Sequence, residues 1–486
     1  MTRYAMVADL ERCVGCQTCT AACRHANATS PAVQWRSVLD IEAGAYPDVS
    51  RTFVPVGCQH CEDPPCMHVC PTTATRKRAD GIVTVDYDIC IGCAYCDVAC
   101  PYQARFKISK NDFAYGRPMK NEGEDERRIG VSQKCTFCSD RIDSGLARGL
   151  VPGRDADATP ACVNSCIADA LHFGDVQDPA SNVSKLIAQN SHFRMHEELG
   201  TAPGFYYLHD RRHTAAKPTP GPVTGPGIEP KHQEHWDWKA AANFICGGAG
   251  ASLLGFSVYY DQIVSALAAL ALIAVGLGLL FFKIGRPLRF LYVLRQPQRS
   301  WMSREAWLVG LLFPLGLSYV LSGSKALGIA AACVGAVFFF AQAMILKEAR
   351  GIPAWRTPCI VPLILLTGLA EGAALFCLAA PLPGVVAILV VARWLAWWKY
   401  REALASAPTK TVEVLSACRR WMFWGALVLP LALLAINLVI TAALVVVATG
   451  WALKLILVTR AGWQQGFAIE RAGTMLKPGW TTGGNR

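Results

Sequence analysis

The second half of this 486-residue sequence lacks histidine and has few acidic residues. No histidine follows His235, and residues 240–486 contain 7 Asp and Glu against 21 Lys and Arg. A haem held by two intramembrane histidines is therefore excluded, and the scattered methionines are poor substitutes. The net charge of +11 comes from this half, whose basic residues lie in short loops between apolar runs. That pattern is typical of membrane proteins, so we expect a lipid bilayer as a partner and no nucleic acid.

The sequence also lacks the motifs of a self-sufficient enzyme or transporter. It contains no P-loop and no Ser/His/Asp constellation. Between Met1 and Cys13 there is neither an apolar core nor a twin arginine, so we expect no export signal of the chain's own. We therefore expect a non-catalytic component of a larger complex. Turnover by the purified protein alone would favour the enzyme interpretation instead.

Long apolar runs dominate residues 239–470. Each is close to the ~20 residues that an α-helix needs to cross a bilayer. We predict an all-α membrane bundle of eight helices, followed by a tail at 471–486. The runs are Ala240–Tyr260, Gln262–Phe282, Ala306–Ser324, Ala326–Leu346, Cys359–Ala380, Gly384–Trp398 and the double-length Trp421–Val458.

Two charges interrupt the fifth and sixth predicted helices. Glu371 lies ten residues before Pro381, and Arg393 lies nine residues after Gly384. At ~1.5 Å per residue both lie roughly 15 Å from the turn, near the middle of a bilayer. Because an unpaired charge is costly at that depth, we predict a salt bridge between them. A purely architectural pair is favoured over a proton relay.

Sixteen of the 21 cysteines fall into four groups of four. Sixteen thiolates suffice for four cubane [4Fe–4S] clusters, and the short spacings match those of iron–sulfur loops. Paired C-x-x-C motifs also make zinc sites, but three complete runs of four, two of them followed by proline, favour clusters. The other five cysteines are interpreted as apolar packing residues. The groups are Cys13, Cys16, Cys19, Cys23; Cys58, Cys61, Cys66, Cys70; Cys90, Cys93, Cys96, Cys100; and Cys135, Cys138, Cys162, Cys166.

The cysteine groups lie in a first domain that we place at residues 1–210. Its β-prone runs, such as Arg51–Val56 and Ile82–Tyr87, alternate with the cysteine loops. Residues 211–238 are rich in Pro, Gly, Lys and His, which is the composition of a linker. The membrane bundle at 239–470 follows, as if two separate polypeptides had been joined.

The segments CQHCEDPPCMHVCP (58–71) and CIGCAYCDVACPY (90–102) resemble the four-cluster iron–sulfur subunit of the dimethyl sulfoxide reductase family. The resemblance covers roughly residues 1–205. It implies an α+β, duplicated two-cluster ferredoxin-like fold and a molybdopterin-containing catalytic partner. In that family the first and fourth groups exchange ligands, as do the second and third. Carried over, the ligand sets are Cys13, Cys16, Cys19 and Cys166; Cys135, Cys138, Cys162 and Cys23; Cys58, Cys61, Cys66 and Cys100; and Cys90, Cys93, Cys96 and Cys70.

Residues 236–470 resemble the anchor subunit of the same family, chiefly through the loop KIGRPLRFLYVLRQPQRSWMSRE (283–305). In relatives, a His-x-Gly-x-Pro element and a Glu at the end of this loop are associated with the quinol site. Glu305 matches the acid, whereas Lys283 stands in place of the His. The resemblance implies a quinone site at Lys283, Arg286, Arg295 and Glu305.

The basic loops share one side of an eight-helix arrangement. Residues 283–304, 347–356 and 399–420 hold six, three and five Lys/Arg, the C-terminal tail together with Arg460 before it holds four, and the opposite turns hold only Lys325. By the positive-inside rule we expect these loops and the cysteine domain on the cytoplasmic side of a bacterial inner membrane. The alternative, that the loops recognise the cysteine domain or a quinone, stays open.

Resemblance and topology together imply a function. We expect an electron-transfer and anchor subunit that relays electrons between the catalytic partner and the quinone pool. The cytoplasm-facing members of the family point to sulfite oxidation with quinone reduction. The alternative with the same architecture is a quinol-oxidising reductase of dimethyl sulfoxide, polysulfide or another sulfur oxyanion. A cluster-binding sensor is disfavoured by the number of predicted helices.

Overall fold

The computed structural model describes residues 2–30, 33–109, 125–209, 223–224, 228–405, 407–467, 469–471 and 474–476. The chain forms two units. The first takes in Met1–His68 and Thr73–Lys231, together with a segment that begins at Gln465. The second takes in Val69–Thr72 and His232–Gln464. Most of the linker predicted at 211–238 lies outside the described residues, and the domain boundaries stay predictions.

The first unit is an α+β structure with short strands, and both predicted β-prone runs are confirmed as strands. Its strands are β1 Tyr4–Asp9, β2 Arg36–Ala45, β3 Asp48–Gly57, β4 Thr75–Lys77, β5 Val83–Val85, β6 Leu171–Asp175, β7 His192–Phe193, β8 Phe205–Leu208, β9 Val223–Thr224, β10 Ile469–Arg471 and β11 Thr474–Leu476. Its helices are α1 Thr18–Asn27, α2 Pro65–His68, α3 Tyr95–Ala99, α4 Ser139–Ala147, α5 Ala161–Asn164 and α6 Asn182–Gln189.

A four-stranded sheet in the order β6–β1–β8–β7 forms the centre of the first unit. Strand β1 runs antiparallel to β6 and parallel to β8. Its side chains alternate between two faces, as a strand requires. Met6 and Ala8 pack into the core that contains the cysteine loops, whereas Val7 packs against Val183 of α6. The sheet is therefore buried on both faces and supports the cysteine loops from one side.

The second unit is helical in its described part. Its helices are α7 Trp238–Tyr259, α8 Ile263–Phe281, α9 Trp301–Ser322, α10 Lys325–Lys347, α11 Pro353–Arg356, α12 Ile360–Phe376, α13 Pro383–Ala403, α14 Thr409–Ala417, α15 Arg419–Phe423, α16 Leu429–Ala435 and α17 Val439–Thr459. A π-helical stretch, Trp424–Val428, joins α15 to α16. Helix α7 is central, because it packs against α8, α10, α12 and α17.

Five of these helices are long and apolar enough to cross a membrane: α7, α8, α9, α10 and α17. A sixth span arises if α14 and the helix that runs from Arg419 to Ala435 count as one, with a bend of 43° between them. Helix α12 is apolar but shorter. The described residues thus support about five membrane helices, and the predicted count of eight is not confirmed.

The predicted salt bridge between Glu371 and Arg393 is wrong. Lys454 Nζ lies 2.6 Å from Glu371 Oε2, and both side chains are fully buried. Arg393 instead donates to the carbonyl oxygens of Val446 (3.1 Å) and Ala426 (2.8 Å). Both charges of the predicted pair therefore find partners on α17 or the broken helix before it, rather than on each other.

Candidate iron–sulfur and quinone sites

The first predicted ligand set surrounds one cavity. Cys13, Cys16, Cys19 and Cys166 all line it, although Cys166 comes from a distant part of the sequence. The loop between Cys13 and Cys16 requires Gly15, whose φ is +70°. A Cβ atom there would lie 2.4 Å from the Phe53 ring. A larger residue at this position would therefore displace the loop that presents the first two thiols.

The second predicted set also comes together. Burial raises the pKa of Cys23, and the thiolate charges of Cys135, Cys162 and Cys138 raise it further. Asn27 bridges two members of this set: its Nδ2 lies 3.8 Å from Cys23 Sγ and 3.7 Å from Cys138 Sγ. Helix α1 thus presents Cys19 to the first set and Cys23 to the second, because its two cysteines are four residues apart.

The third predicted set shows the same proximity. Burial raises the pKa of Cys61, with further contributions from Cys58, Cys66 and Cys100. Burial is also the main reason why the pKa of Cys100 rises to about 12, followed by the charge of Cys66. Cys100 follows α3, whereas Cys58 and Cys61 precede α2 and Cys66 lies in it. Again a residue from another group joins the three.

The fourth predicted set consists of Cys70, Cys90, Cys93 and Cys96. Cys93 is half-buried and the other three are buried. Cys96 Sγ donates to Ser132 Oγ at 3.1 Å, and the Cys70 and Thr72 side chains lie 3.7 Å apart. The joining of these four thiols at one site stays a prediction.

The chemistry of the buried thiols fits that of cluster ligands. Burial raises the pKa of Cys135 to about 11 and that of Cys162 to about 12. Since cluster ligands are thiolates, these buried sulfurs need nearby positive charge, which the iron of a larger cluster supplies.

Glu305 is the centre of a buried polar group in the second unit. Asn243 Nδ2 donates to Glu305 Oε1 at 3.2 Å, and Gln342 Nε2 donates to the same oxygen at 2.9 Å. Within the described residues Oε2 accepts no hydrogen bond. Among the described residues, the buried amide oxygens of Asn243 and Gln342 likewise have no hydrogen-bond partner. Three acceptor oxygens are thus available to a ligand that carries hydroxyl groups.

Another predicted quinone residue, Lys283, is bound at the start of α7. Lys283 Nζ lies 2.7 Å from Asp237 Oδ2. Asp237, which binds Lys283, immediately precedes α7, and Asn243, which binds Glu305, lies six residues further on. The two contact points are therefore ~9 Å apart along the axis of α7. Burial acts to raise the pKa of Asp237, but the hydrogen bond and charge of Lys283 lower it overall. The guanidinium of Arg295 lies over the Tyr292 ring at 3.8 Å, and Arg286 precedes the 3₁₀ turn Pro287–Arg295.

A cysteine-bearing segment is packed within the second unit at the start of α9. Ser300 Oγ donates to the carbonyl oxygen of Val69 at 2.8 Å, and Ser303 Oγ donates to that of Pro71 at 3.1 Å. The segment Val69–Thr72, which contains Cys70, belongs to this unit. One predicted cluster ligand is therefore held by serines that lie two and five residues before Glu305.

Comparison with known proteins supports the iron–sulfur assignment. Residues 49–116 match the family model of a 4Fe-4S dicluster domain. A putative dimethyl sulfoxide reductase iron–sulfur B subunit of Halobacterium salinarum is 43% identical over 222 residues, which is 43% of this chain and 79% of that protein. The B subunit of sulfite dehydrogenase from Allochromatium vinosum is 38% identical over 229 residues, covering 44% and 85% of the two proteins. The B component of polysulfide reductase from Wolinella succinogenes is 37% identical over 212 residues, covering 43% and 96%.

This protein belongs to the iron–sulfur B-subunit family of dimethyl sulfoxide reductase-type complexes. Such B subunits are electron-transfer components, which agrees with the expectation of a non-catalytic protein. Each of the three matches leaves more than half of this chain uncovered. Compared with a B subunit alone, this protein therefore has a large additional part, and the apolar helices of the second unit account for much of it.

Two buried arginines in this B-subunit region were not predicted. Burial acts to lower the pKa of Arg36, but the thiolates of Cys162, Cys135, Cys19 and Cys23 raise it, so Arg36 is close to both the first and the second set. Arg105 is likewise buried, and its pKa is raised by thiolates of the third set together with Cys96 of the fourth. Each half of the duplicated cysteine pattern thus contains one guanidinium close to thiols from two of the predicted sets. No spacing rule marks either residue in the sequence.

Proposed function

We propose that this protein carries electrons between a molybdopterin-containing catalytic subunit and the quinone pool, using four [4Fe–4S] clusters held by its sixteen grouped cysteines. Each cluster, when bound, takes up and releases one electron. The observation that supports the proposal is that cysteines from distant groups of the sequence lie close together. Cys166 lines the same cavity as Cys13, and Cys23 lies beside Cys138. Such proximity would hold neighbouring clusters in one compact body, as electron transfer between them requires.

Glu305 is the residue that we assign to proton transfer at the quinone. Reduction of a quinone to a quinol takes up two electrons and two protons, so a nearby proton donor is needed. Glu305 is fixed by two amide donors on one oxygen, which leaves the other oxygen free to give up or take a proton. Lys283, held by Asp237, is the second candidate, because it stands where relatives have a His.

The electron pathway is proposed to end near Cys70. This residue lies in the segment that Ser300 and Ser303 hold beside the start of α9, the helix that carries Glu305. Within the second unit, Cys70 itself therefore lies near Glu305. Since the second half of the sequence contains no histidine, electrons would pass to the quinone without an intervening bis-histidine haem.

For the reaction of the partner, we propose oxidation of sulfite and water to sulfate, with release of two protons and two electrons. Two observations favour it: the similarity to the B subunit of sulfite dehydrogenase from Allochromatium vinosum, and the basic loops, which favour a cytoplasmic cysteine domain. The second candidate is a quinol-oxidising reductase, which the similarity to the B components of polysulfide reductase and tetrathionate reductase favours.

The test is purification of the protein with its large partner from native membranes. We expect about sixteen iron and sixteen acid-labile sulfide per copy of this chain, together with molybdenum or tungsten in the partner. Sulfite should reduce the clusters, and an added quinone analogue should reoxidise them. Saturation near one or two zinc without sulfide would contradict the clusters. Reduction of the clusters by quinol alone, followed by oxidation with a sulfur oxyanion, would establish the second candidate.

A further inference from the structure

A groove of about 450 Å³ lies at the end of α13, beside the broken helix that begins at Arg419. Three arginines line it: Arg401, Arg419 and Arg420. In the described part of the chain none of them forms an ion pair or a side-chain hydrogen bond. Glu402 lines the adjoining groove but does not pair with them. We call this feature the tryptophan–arginine groove, because its other walls are aromatic.

No carboxylate among the residues that the structure describes pairs with the three guanidinium groups. Arg401 is half-buried, and the positive charge of Arg419 lies close enough to disfavour that of Arg401. Like charges at such proximity destabilise each other, and partial burial strengthens the repulsion. Most other arginine side chains of the second unit have carbonyl, carboxylate or aromatic partners, as Arg393 and Arg295 show. A bound anion would supply the negative charge that the groove lacks.

The aromatic walls place apolar surface directly beside these charges. The Trp394 and Trp398 rings are nearly parallel with centroids 6.4 Å apart, and Phe423 meets Trp394 edge-on at 6.0 Å. Trp398 is 48% exposed and Trp424 is 64% exposed. A second groove shares Trp398 and Arg401 and continues along apolar side chains such as Leu415. Tryptophans of this kind mark the depth at which lipid headgroups meet acyl chains.

We propose that the tryptophan–arginine groove binds an anionic phospholipid, with the phosphodiester between the arginines and the acyl chains against the aromatic rings. The inference rests on the predicted placement of the helical unit in a membrane. A free phosphate would leave the aromatic walls uncovered, and an uncharged quinone headgroup would not balance three guanidiniums. The groove is also distinct from the Glu305 group, whose hydrogen-bonding partners lie on α7 and α10 rather than on α13.

The bound lipid would hold together α13 and the bent helical segment that begins at Arg419. Arg401 belongs to α13, whereas Arg419 and Arg420 begin the segment that bends by 43° relative to α14. One phosphodiester contacting both would hold the bent segment against α13. We therefore expect the lipid to act as a structural ligand of this corner of the unit.

The experiment is a native mass spectrometry titration of the complete protein in detergent. The probes are phosphatidylglycerol, phosphatidylcholine and inorganic phosphate. The variant Arg401→Gln/Arg419→Gln/Arg420→Gln is compared with a control that removes the same charge elsewhere, Arg289→Gln/Arg299→Gln/Lys347→Gln. Each basic residue near an anionic lipid contributes about fivefold in affinity, so the groove variant should bind phosphatidylglycerol roughly 100-fold more weakly. The control should bind within about threefold of the unmodified protein.

Three results would overturn the proposal: equal binding of phosphatidylglycerol by the groove variant and the control, equal binding of the two lipids by the unmodified protein, or displacement of the lipid by equimolar phosphate. If the triple variant does not fold, the variant Arg419→Glu/Arg420→Glu provides the test, because both residues are exposed. Reversal of their charge must weaken the binding of phosphatidylglycerol, and unchanged binding would refute the site. Iron content and retention in membranes are measured in parallel. These test the electron-transfer proposal independently of the lipid.

Discussion

Glu371 and Lys454 form a fully buried ion pair between α12 and α17, with 2.6 Å between the carboxylate oxygen and the ammonium nitrogen. Lys454 Nζ also donates to the carbonyl oxygen of Phe244 on α7, at 3.2 Å. The residue therefore ties three helices together at one point. Such a pair contributes little net stability relative to apolar residues, but removal of one partner leaves an uncompensated charge.

We expect Lys454→Met to destabilise the helical unit by about 3–5 kcal/mol, because it leaves Glu371 without its partner. The double variant Lys454→Met/Glu371→Leu should recover most of this loss. The measurement is the thermal denaturation of the detergent-solubilised protein, with Lys410→Met as the control because Lys410 forms only an exposed pair. Equal losses in the single and double variants would contradict the pairing.

Replacement of Cys23 by Ser should damage the cluster whose other proposed ligands are Cys135, Cys138 and Cys162. Bound iron should fall from about sixteen by between one and four atoms, depending on whether the cluster is lost or keeps three irons. Iron analysis and electron paramagnetic resonance measure the change. Cys333→Ser is the control, since Cys333 is exposed on a helix of the second unit. Unchanged spectra for the Cys23 variant would remove this residue from the ligand set.

Glu305→Gln should slow quinone-coupled turnover by roughly 100-fold or more, because it removes a group that can exchange a proton. The amide preserves the size of the side chain, so all clusters should remain. Lys283→Ala should also slow turnover, while Glu348→Gln, which alters a partly exposed acid paired with Arg350, should not. Stopped-flow oxidation of the clusters by a quinone analogue gives the rates. If both site variants react at the normal rate, the quinone binds elsewhere.

Arg36→Met and Arg105→Met should each lower the reduction potentials of two clusters. A buried positive charge favours the reduced, more negative state of a cluster. At an effective dielectric constant near 20, removal of that charge should lower the reduction potential of a cluster ~6 Å away by roughly 100 mV. Potentiometric titration monitored by electron paramagnetic resonance resolves the clusters. Arg148→Met, an exposed position on the same unit, should shift none of them. If replacement of either arginine shifts the reduction potential of only one cluster, that arginine does not lie between two sets.

The cysteine arrangement was largely predictable because ligand spacing leaves a direct record in the sequence. Cys23 follows Cys19 by four positions, which is about one helical turn, so the two thiols can serve different sites. The pairing of groups, in contrast, required the family resemblance. Arg36 could not be predicted at all, because a single arginine in a β-strand has no spacing pattern and owes its role to residues brought close only by folding.

The helical unit was less predictable. Lys454 was overlooked because one charge barely changes the average hydropathy of a long apolar run such as Trp421–Val458. Without Lys454, Arg393 was the obvious partner for Glu371, since the two lie at similar depth on adjacent helices. Asn243 and Gln342 were not predicted for a similar reason, because uncharged polar residues do not interrupt an apolar run. Their side chains nevertheless donate hydrogen bonds to one oxygen of Glu305 and so determine which of its two oxygens is used.

The cavity shared by Cys13 and Cys166 has a consequence for synthesis of the protein. A ribosome that adds roughly 5–20 residues per second produces Cys13 some 8 to 30 seconds before Cys166. During that time Cys13, Cys16 and Cys19 are available to oxidants and stray metal ions. The proposed sets that end at Cys96 and Cys100 can close while Cys135 is still to be translated. The first cysteines to be made thus belong to the proposed site that is completed last, and until then they depend on a reducing environment.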